Sequence, residues 1–265
     1  MKTARRLSRR AVRVEERLFL VEGPKALAEA LDVPGCLVEV YAGPDAAQEH
    51  APLLGAAEAA GAVVYPVDDA ALASLADTVT PQGVVAVCRF LDRPLEAVLD
   101  RVREETGDGP APVVVVCVDV RDPGNAGTVL RCADAAGAAA VVLAGTSVDP
   151  YNPKAVRATA GSLFHLPLAR TDDPLTTLDA LRAAGFQVLA ADGGGESDLD
   201  DLVYDGALAA PTAWVFGNEA HGLDAAVAAA ADRRVAIPIH GRAESLNLAT
   251  AAAVCLYASA RAVRR

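Results

Sequence analysis

Residues 113–131 read Val-Val-Val-Val-Cys-Val-Asp-Val-Arg-Asp-Pro-Gly-Asn-Ala-Gly-Thr-Val-Leu-Arg. The run Val113–Val120 is broken only by Asp119. A half-exposed strand alternates apolar and polar residues, whereas a continuous β-branched run belongs to a strand covered on both faces, the central strand of a parallel sheet. Glycines and polar side chains follow at once, at the C-terminal end of that strand, where open α/β sheets bind their ligands. Asn125 is placed to cap the next helix, and Gly124 and Gly127 permit close backbone approach. Arg131 comes six residues after Asn125, nearly two turns on.

Beyond this stretch the same rhythm continues. Helical patterns near 125–137, 153–161, 174–184, 222–231 and 246–263 alternate with strand-like runs near 139–144, 187–191, 212–216 and 235–237. This predicts a βα repeat with helices on both faces. Upstream, residues 93–111 form a linker: a charged helical stretch ending in Glu104-Glu105, then Thr106-Gly107-Asp108-Gly109-Pro110, a Gly/Pro cluster that marks a domain boundary. Residues 17–92 have a shorter alternation. It predicts a helix from Gly23-Pro24 to Leu31, a strand over Cys36–Ala42, a helix over Pro44–Gly61, a strand over Ala62–Tyr65, a helix over Asp68–Ala76 and a strand over Gly83–Phe90. The expected division is a basic arm at 1–16, a small α/β/α domain at 17–92, the linker and a larger α/β domain at 112–265.

Composition narrows the function. No stretch approaches the length of uninterrupted apolar sequence that a membrane span needs, and the arginine-rich start lacks the apolar core of a secretory signal, so a cytoplasmic protein is expected. Cys36, Cys88, Cys117, Cys132 and Cys255 are far apart with no CxxC spacing, and the histidines form no ligand cluster. That predicts structural thiols and no metal. The net charge is −11, yet residues 1–25 carry eight Lys and Arg against three Glu, a local +5. A basic arm on an acidic body can hold a phosphate backbone; a solubilising terminus is the equal alternative.

Two further segments place glycines and polar residues after strand-like runs. Val215-Phe216-Gly217-Asn218-Glu219-Ala220-His221-Gly222-Leu223 reads equally as a binding loop or, taken alone, as a glycine-bearing strand-to-helix turn. In Ile237-Pro238-Ile239-His240-Gly241-Arg242-Ala243-Glu244-Ser245-Leu246-Asn247-Leu248-Ala249 a strand ends in a polar loop and a helix begins at Ser-Leu-Asn. There Ser245 and Asn247 can both point back across the loop, with helix capping the plainer role for Ser245.

Together the three segments, N-x-G-x-x-x-R, G-N-E-x-x-G and I-P-x-x-G-x-x-E-S-L-N, resemble the SpoU (TrmH-type) family of RNA 2′-O-ribose methyltransferases, part of the SPOUT superfamily. Tyr151–Gly161 is also similar to a family segment, and Arg17–Gly23 resembles the start of the L30e-like substrate-binding domain that often precedes the catalytic one. The resemblance implies an α/β C-terminal SPOUT domain with a deep trefoil knot and a mostly parallel sheet. It implies a homodimer, S-adenosylmethionine as methyl donor, and transfer to a ribose 2′-hydroxyl of RNA, ribosomal (23S-type) RNA favoured over tRNA by the small N-terminal domain.

By the same resemblance Arg131 is the residue nearest the reacting hydroxyl. A guanidinium is a poor base, so it is expected to stabilise the developing charge on oxygen. Asn125 would fix the Arg131 loop, Ser245 and Asn247 would orient Arg131 and the ribose, and Glu219 would brace the pocket or draw charge toward Arg131. Backbone groups near Ala191, Gly217, Ile237 and Leu246 would hold the donor. The competing readings are the same reaction on tRNA and a non-catalytic RNA-binding ribosome assembly factor. A dinucleotide-binding oxidoreductase lacks its GxGxxG fingerprint here.

Overall fold

The computed structural model describes residues 1–265 except Val79, Asp108 and Arg265. Asp108, in the expected boundary cluster, and Arg265, the end of the expected 112–265 domain, therefore lie outside the described residues. The chain divides into two compact units. One is Met1–Leu91 with Asp149–His165; the other is Asp92–Val148 with Leu166–Arg265.

In the first unit β1 (Leu18–Glu22), β2 (Leu37–Ala42), β3 (Val63–Pro66) and β4 (Val84–Arg89) form a sheet of order β1-β4-β2-β3. β4 runs antiparallel to β1 and β2, and β3 parallel to β2. The helices are α1 (Lys2–Arg6), α2 (Arg10–Glu16), α3 (Pro24–Leu31), α4 (Pro44–Glu49), α5 (Ala51–Ala59), α6 (Asp69–Ala73) and, from the later segment, α9 (Pro153–Thr159). The single helix expected over Pro44–Gly61 is two, broken at His50. Pro52 has no N–H to carry the ladder across, so the second helix restarts with Leu54 N–H donating to the His50 carbonyl at 3.0 Å. Residues 1–16, read as an arm, are α1 and α2, and Ala4, Leu7 and Val12 are buried in one core with Leu20, Tyr41 and Val85.

The structure assigns Asp149–His165 to this first unit although the sequence places the stretch inside the larger domain. Tyr151 explains its attachment. Its ring stacks on Phe90 with 3.8 Å between centroids and tilts against Phe19 at 4.8 Å, and its hydroxyl accepts the Leu91 N–H at 2.7 Å. Asp149 pairs with Arg13 at 2.7 Å, both side chains almost wholly buried.

The second unit holds β5 (Val113–Val118), β6 (Ala140–Ala144), β7 (Leu168–Thr171), β8 (Gln187–Ala191), β9 (Ser197–Asp198), β10 (Thr212–Phe216) and β11 (Arg233–Ala236), in the order β7-β6-β5-β10-β8-β11-β9. Every neighbouring pair runs parallel. Its helices are α7 (Leu95–Thr106), α8 (Pro123–Ala136), α10 (Pro174–Ala183), α11 (Leu199–Tyr204), α12 (Ala225–Ala230) and α13 (Leu248–Val263). β5 is buried at every residue, as a central strand should be. Val114, Val116 and Val118 face a core shared with α7, α10 and α12. The other face meets α8 and α13, where the buried Trp214 indole donates to Ser259 Oγ at 2.8 Å.

From β5 the chain steps outward through β6 to β7, then returns on the other side to β8, and β10 inserts between β5 and β8. The strand order therefore reverses between β5 and β10, and the loops after β5, β8, β10 and β11 gather at one end, the usual ligand position in such sheets. Among the described residues no helix is long and apolar enough to cross a membrane.

Candidate active site

The site is built at those strand ends. After β5 the backbone takes a left-handed turn at Asp119 (φ 53°), and its carboxylate accepts the N–H and hydroxyl of Thr146. Those bonds hold the Asp119 carboxyl below its ordinary range, the Thr146 hydroxyl contributing most. α8 then opens with Asp122 as its cap, its side chain accepting the Asn125 N–H at 2.8 Å. This corrects the expectation for Asn125. Pro123 occupies the first turn, Asn125 lies inside the helix, and its amide is left free to act elsewhere.

That amide is the centre of a relay. Asn125 Nδ2 donates to Glu219 Oε1 at 3.2 Å, while Asn125 Oδ1 accepts from Asn247 Nδ2 at 3.0 Å. Glu219 in turn accepts the backbone N–H groups of Arg121 (3.1 Å) and Asp122 (3.0 Å). Burial pushes the Glu219 carboxyl up, but hydrogen bonds from the N–H groups of Arg121, Glu219 itself and Asp122, and from Asn125, outweigh it and hold the group below its ordinary value. Glu219 is therefore an ionised brace. Asn247 is also the cap of α13, accepting from Ala249 N at 2.9 Å and Thr250 N at 3.4 Å. Capping falls to Asn247 and not to Ser245 because α13 begins only at Leu248.

The loop after β10 is equally constrained. Asn218 and Gly222 exchange both backbone hydrogen bonds at 2.9 Å, and the Asn218 side chain donates to the Asp119 carbonyl at 2.9 Å while accepting from Ala220 N. A Cβ on Gly217 would come within 2.4 Å of the Gly222 carbonyl carbon, so only glycine fits. Asn218 escaped the sequence reading as a site residue, although it stands next to Gly217. Its task, tying the β10 loop to the end of β5, depends on a strand neighbourship that sequence does not display.

These loops enclose a cleft of about 580 Å³, within the usual range for small-ligand sites. Ala191, Gly217, Ile237 and Leu246, the expected donor-binding positions, all line it, as do Glu219 and Ser245. Asn125 and Asn247 join the cleft through Glu219. Arg131 does not. It projects exposed from α8, outside the cleft, and its guanidinium makes no hydrogen bond or ion pair among the described residues. The cysteines are free; burial, with Glu219 a lesser influence, pushes the Cys117 thiol up to about 12, and burial alone does the same for Cys255.

Residues 112–257 match the model of the SpoU rRNA methylase family, and residues 20–94 match that of the RNA 2′-O ribose methyltransferase substrate-binding domain. This chain belongs to the SpoU rRNA methylase family. A relative from Bacillus subtilis, the 23S rRNA (guanosine(2553)-2′-O)-methyltransferase RlmP, is 32% identical over 97% of this chain and 94% of its own. The S-adenosylmethionine-bound rRNA methyltransferase from Sinorhizobium meliloti superposes with a TM-score of 0.84 at 32% identity, covering 98% of this chain and 93% of that one. The SpoU methyltransferase AviRb from Streptomyces viridochromogenes, in complex with the same cofactor, gives 0.82 at 29% identity, covering 98% and 96%. The cleft of this SpoU chain suits such a donor chemically. Asp192 and Glu244 offer carboxylates to a molecule bearing sulfonium and ammonium charges, and Ile237, Leu246 and Leu248 offer apolar surface.

Proposed function

We propose that this chain transfers the methyl group of S-adenosylmethionine to a ribose 2′-hydroxyl in 23S-type ribosomal RNA. The observation that carries the reading is the relay Asn247–Asn125–Glu219, which joins all three motif segments at the lip of a donor-sized cleft. The 23S rRNA named for the Bacillus subtilis relative supports the substrate class.

When bound, the donor supplies a methyl group already activated by its sulfonium, so the reaction calls for alignment and charge stabilisation and for no metal. Ala191, Gly217, Ile237 and Leu246 hold the donor. Glu219, ionised and occupied by its donors, fixes the β5–α8 turn and takes no proton. Asn125 and Asn247 keep the α8 and α13 starts in register, and Ser245, exposed at the cleft with its hydroxyl available, orients the ribose. Arg131 stabilises the developing oxyanion, since a guanidinium keeps its charge at any physiological pH; the hydroxyl proton leaves to water or a substrate phosphate, and the demethylated donor departs as the neutral thioether.

Its position on α8 away from its own cleft leads to a homodimer in which Arg131 serves the partner's cleft. The exposed Val254 and Tyr257 of α13 give that association an apolar face. The second unit takes a trefoil-knotted path, as SPOUT members do, and the protein works in the cytoplasm, where its RNA is made.

The test is incubation with S-adenosylmethionine and, separately, deproteinised ribosomal RNA and bulk tRNA, followed by digestion to nucleosides and mass spectrometry. A new 2′-O-methylnucleoside in the ribosomal RNA is expected. The same product confined to tRNA overturns the substrate class, and no ribose methylation in either pool, with donor binding intact, overturns the reaction.

A further inference from the structure

Residues 1–16 lie outside both matched family spans, and nothing in methyl transfer uses them. They are nonetheless folded in place. Ala4, Leu7 and Val12 are buried in the core of the first unit. Arg13, on α2, is 2% exposed. Its Nη1 donates to the carbonyls of Leu7 and Ser8 at 2.8 and 2.9 Å, and its Nη2 and Nε bond Asp149 Oδ2 at 2.7 and 3.0 Å. One guanidinium thus closes the turn between the helices and fastens both to the Asp149 segment.

Over residues 1–14 this anchor presents charge of one sign outward, and the exposed Glu15 and Glu16 follow only at the end of α2. Lys2, Arg5, Arg6, Arg9 and Arg10 are exposed, and residues 1–14 contain no Asp or Glu. Arg5 is steadied by a neutral hydroxyl, Ser74 Oγ at 2.8 Å, which leaves its charge uncompensated. The side chains of Lys2, Arg6, Arg9 and Arg10 make no hydrogen bond or ion pair among the described residues. Solubility does not require them, because a chain of net −11 is already far from neutrality. Five cations on a preordered backbone form contacts to an anionic polymer without the cost of ordering a mobile tail.

We infer that α1 and α2 form a binding surface for the sugar–phosphate backbone of the RNA substrate, indifferent to base sequence. The inference rests on the RNA-substrate reading above. Each phosphate contact releases counterions, so the surface is read out by salt dependence.

The experiment uses the full-length protein, deproteinised ribosomal RNA as probe, and two triple variants. Arg6→Gln/Arg9→Gln/Arg10→Gln removes the charge and Arg6→Lys/Arg9→Lys/Arg10→Lys keeps it. Equilibrium RNA binding is measured across a salt series, together with steady-state methylation, donor titration and thermal unfolding. In the Gln variant the slope of log affinity against log salt should fall by about 2–3. KM for RNA should rise roughly tenfold, with kcat, donor affinity and unfolding temperature unchanged, and the Lys variant should stay near wild type. A Gln variant with wild-type slope and KM overturns the inference, as does a Lys variant that loses as much as the Gln one. Wild-type protein that binds RNA with the full slope yet never methylates it would sink the reaction and leave this surface standing.

Discussion

At Glu219 the donors converge on one carboxylate while the peptide groups that supply them form the turn out of β5. Because they hold the folded carboxyl below its unfolded value, Glu219 contributes stability above the unfolded value, and the contribution is lost as pH falls through the folded one. Between about pH 5 and 3 the unfolding midpoint of the wild type should drop more steeply than that of Glu219→Gln, the two curves converging in acid. Parallel curves would mean that the carboxylate is not held. Asn125→Ala removes the link in both directions. Its two side-chain bonds lie at the exposed mouth of the site and contribute about 1 kcal/mol each at most, so the unfolding free energy should fall by no more than about 2 kcal/mol, while kcat should fall about 10- to 100-fold. Full activity in that variant would show the relay to be idle. The identities of Asn125, Glu219 and Asn247 were legible in the motifs, but their partnership was not. The bonds join residues 94 and 122 positions apart, and only the insertion of β10 beside β5 brings them together.

At the scale of elements, the parallel strands were legible where apolar runs were long: β5, β6, β8 and β10 fall where the sequence placed them. β9 and α11 were not. A two-residue strand is too short to alternate, and Leu199, Leu202 and Val203 stand at i, i+3 and i+4 over barely more than one turn, too brief a pattern to stand out; the strand's pairing is fixed by β11. α1 and α2 were hidden by their charge, since Ala4, Leu7 and Val12 are few among arginines. Their stability hangs on Arg13. Removing one partner of a buried pair strands the other, so Arg13→Ala should cost about 3–5 kcal/mol in denaturant unfolding. Adding Asp149→Ala should cost less than the sum of the single changes. Additive costs would show that the pair is not coupled. In the β10 loop, Gly217→Ala drives a methyl group into the backbone of Gly222. It should abolish donor binding in calorimetric titration while far-ultraviolet circular dichroism stays that of the wild type. Ordinary donor affinity there would remove the loop from the pocket.

For the whole molecule, neither a knot nor a second copy leaves a trace in hydrophobic periodicity, which reports only local burial; both expectations came from the motifs. The position of Arg131 makes the second one testable. The residue is exposed on α8, while the cleft is lined by loops from elsewhere in the same unit. Arg131→Ala alone should lose turnover and keep donor binding, whichever copy it serves. Mixing separates the cases. Arg131→Ala has an intact cleft and Gly217→Ala an intact arginine, and each is inactive by itself. If Arg131 serves the partner's cleft, a mixed dimer pairs the good cleft of one chain with the arginine of the other. With random exchange half the dimers are mixed and each holds one working site, so activity per chain should recover to about a quarter of wild type. If Arg131 serves its own cleft, the two lesions fall in different chains and no site is complete. Methylation that stays at background, with subunit exchange verified by a tagged copy, would place Arg131 in its own cleft and require α8 to move for catalysis.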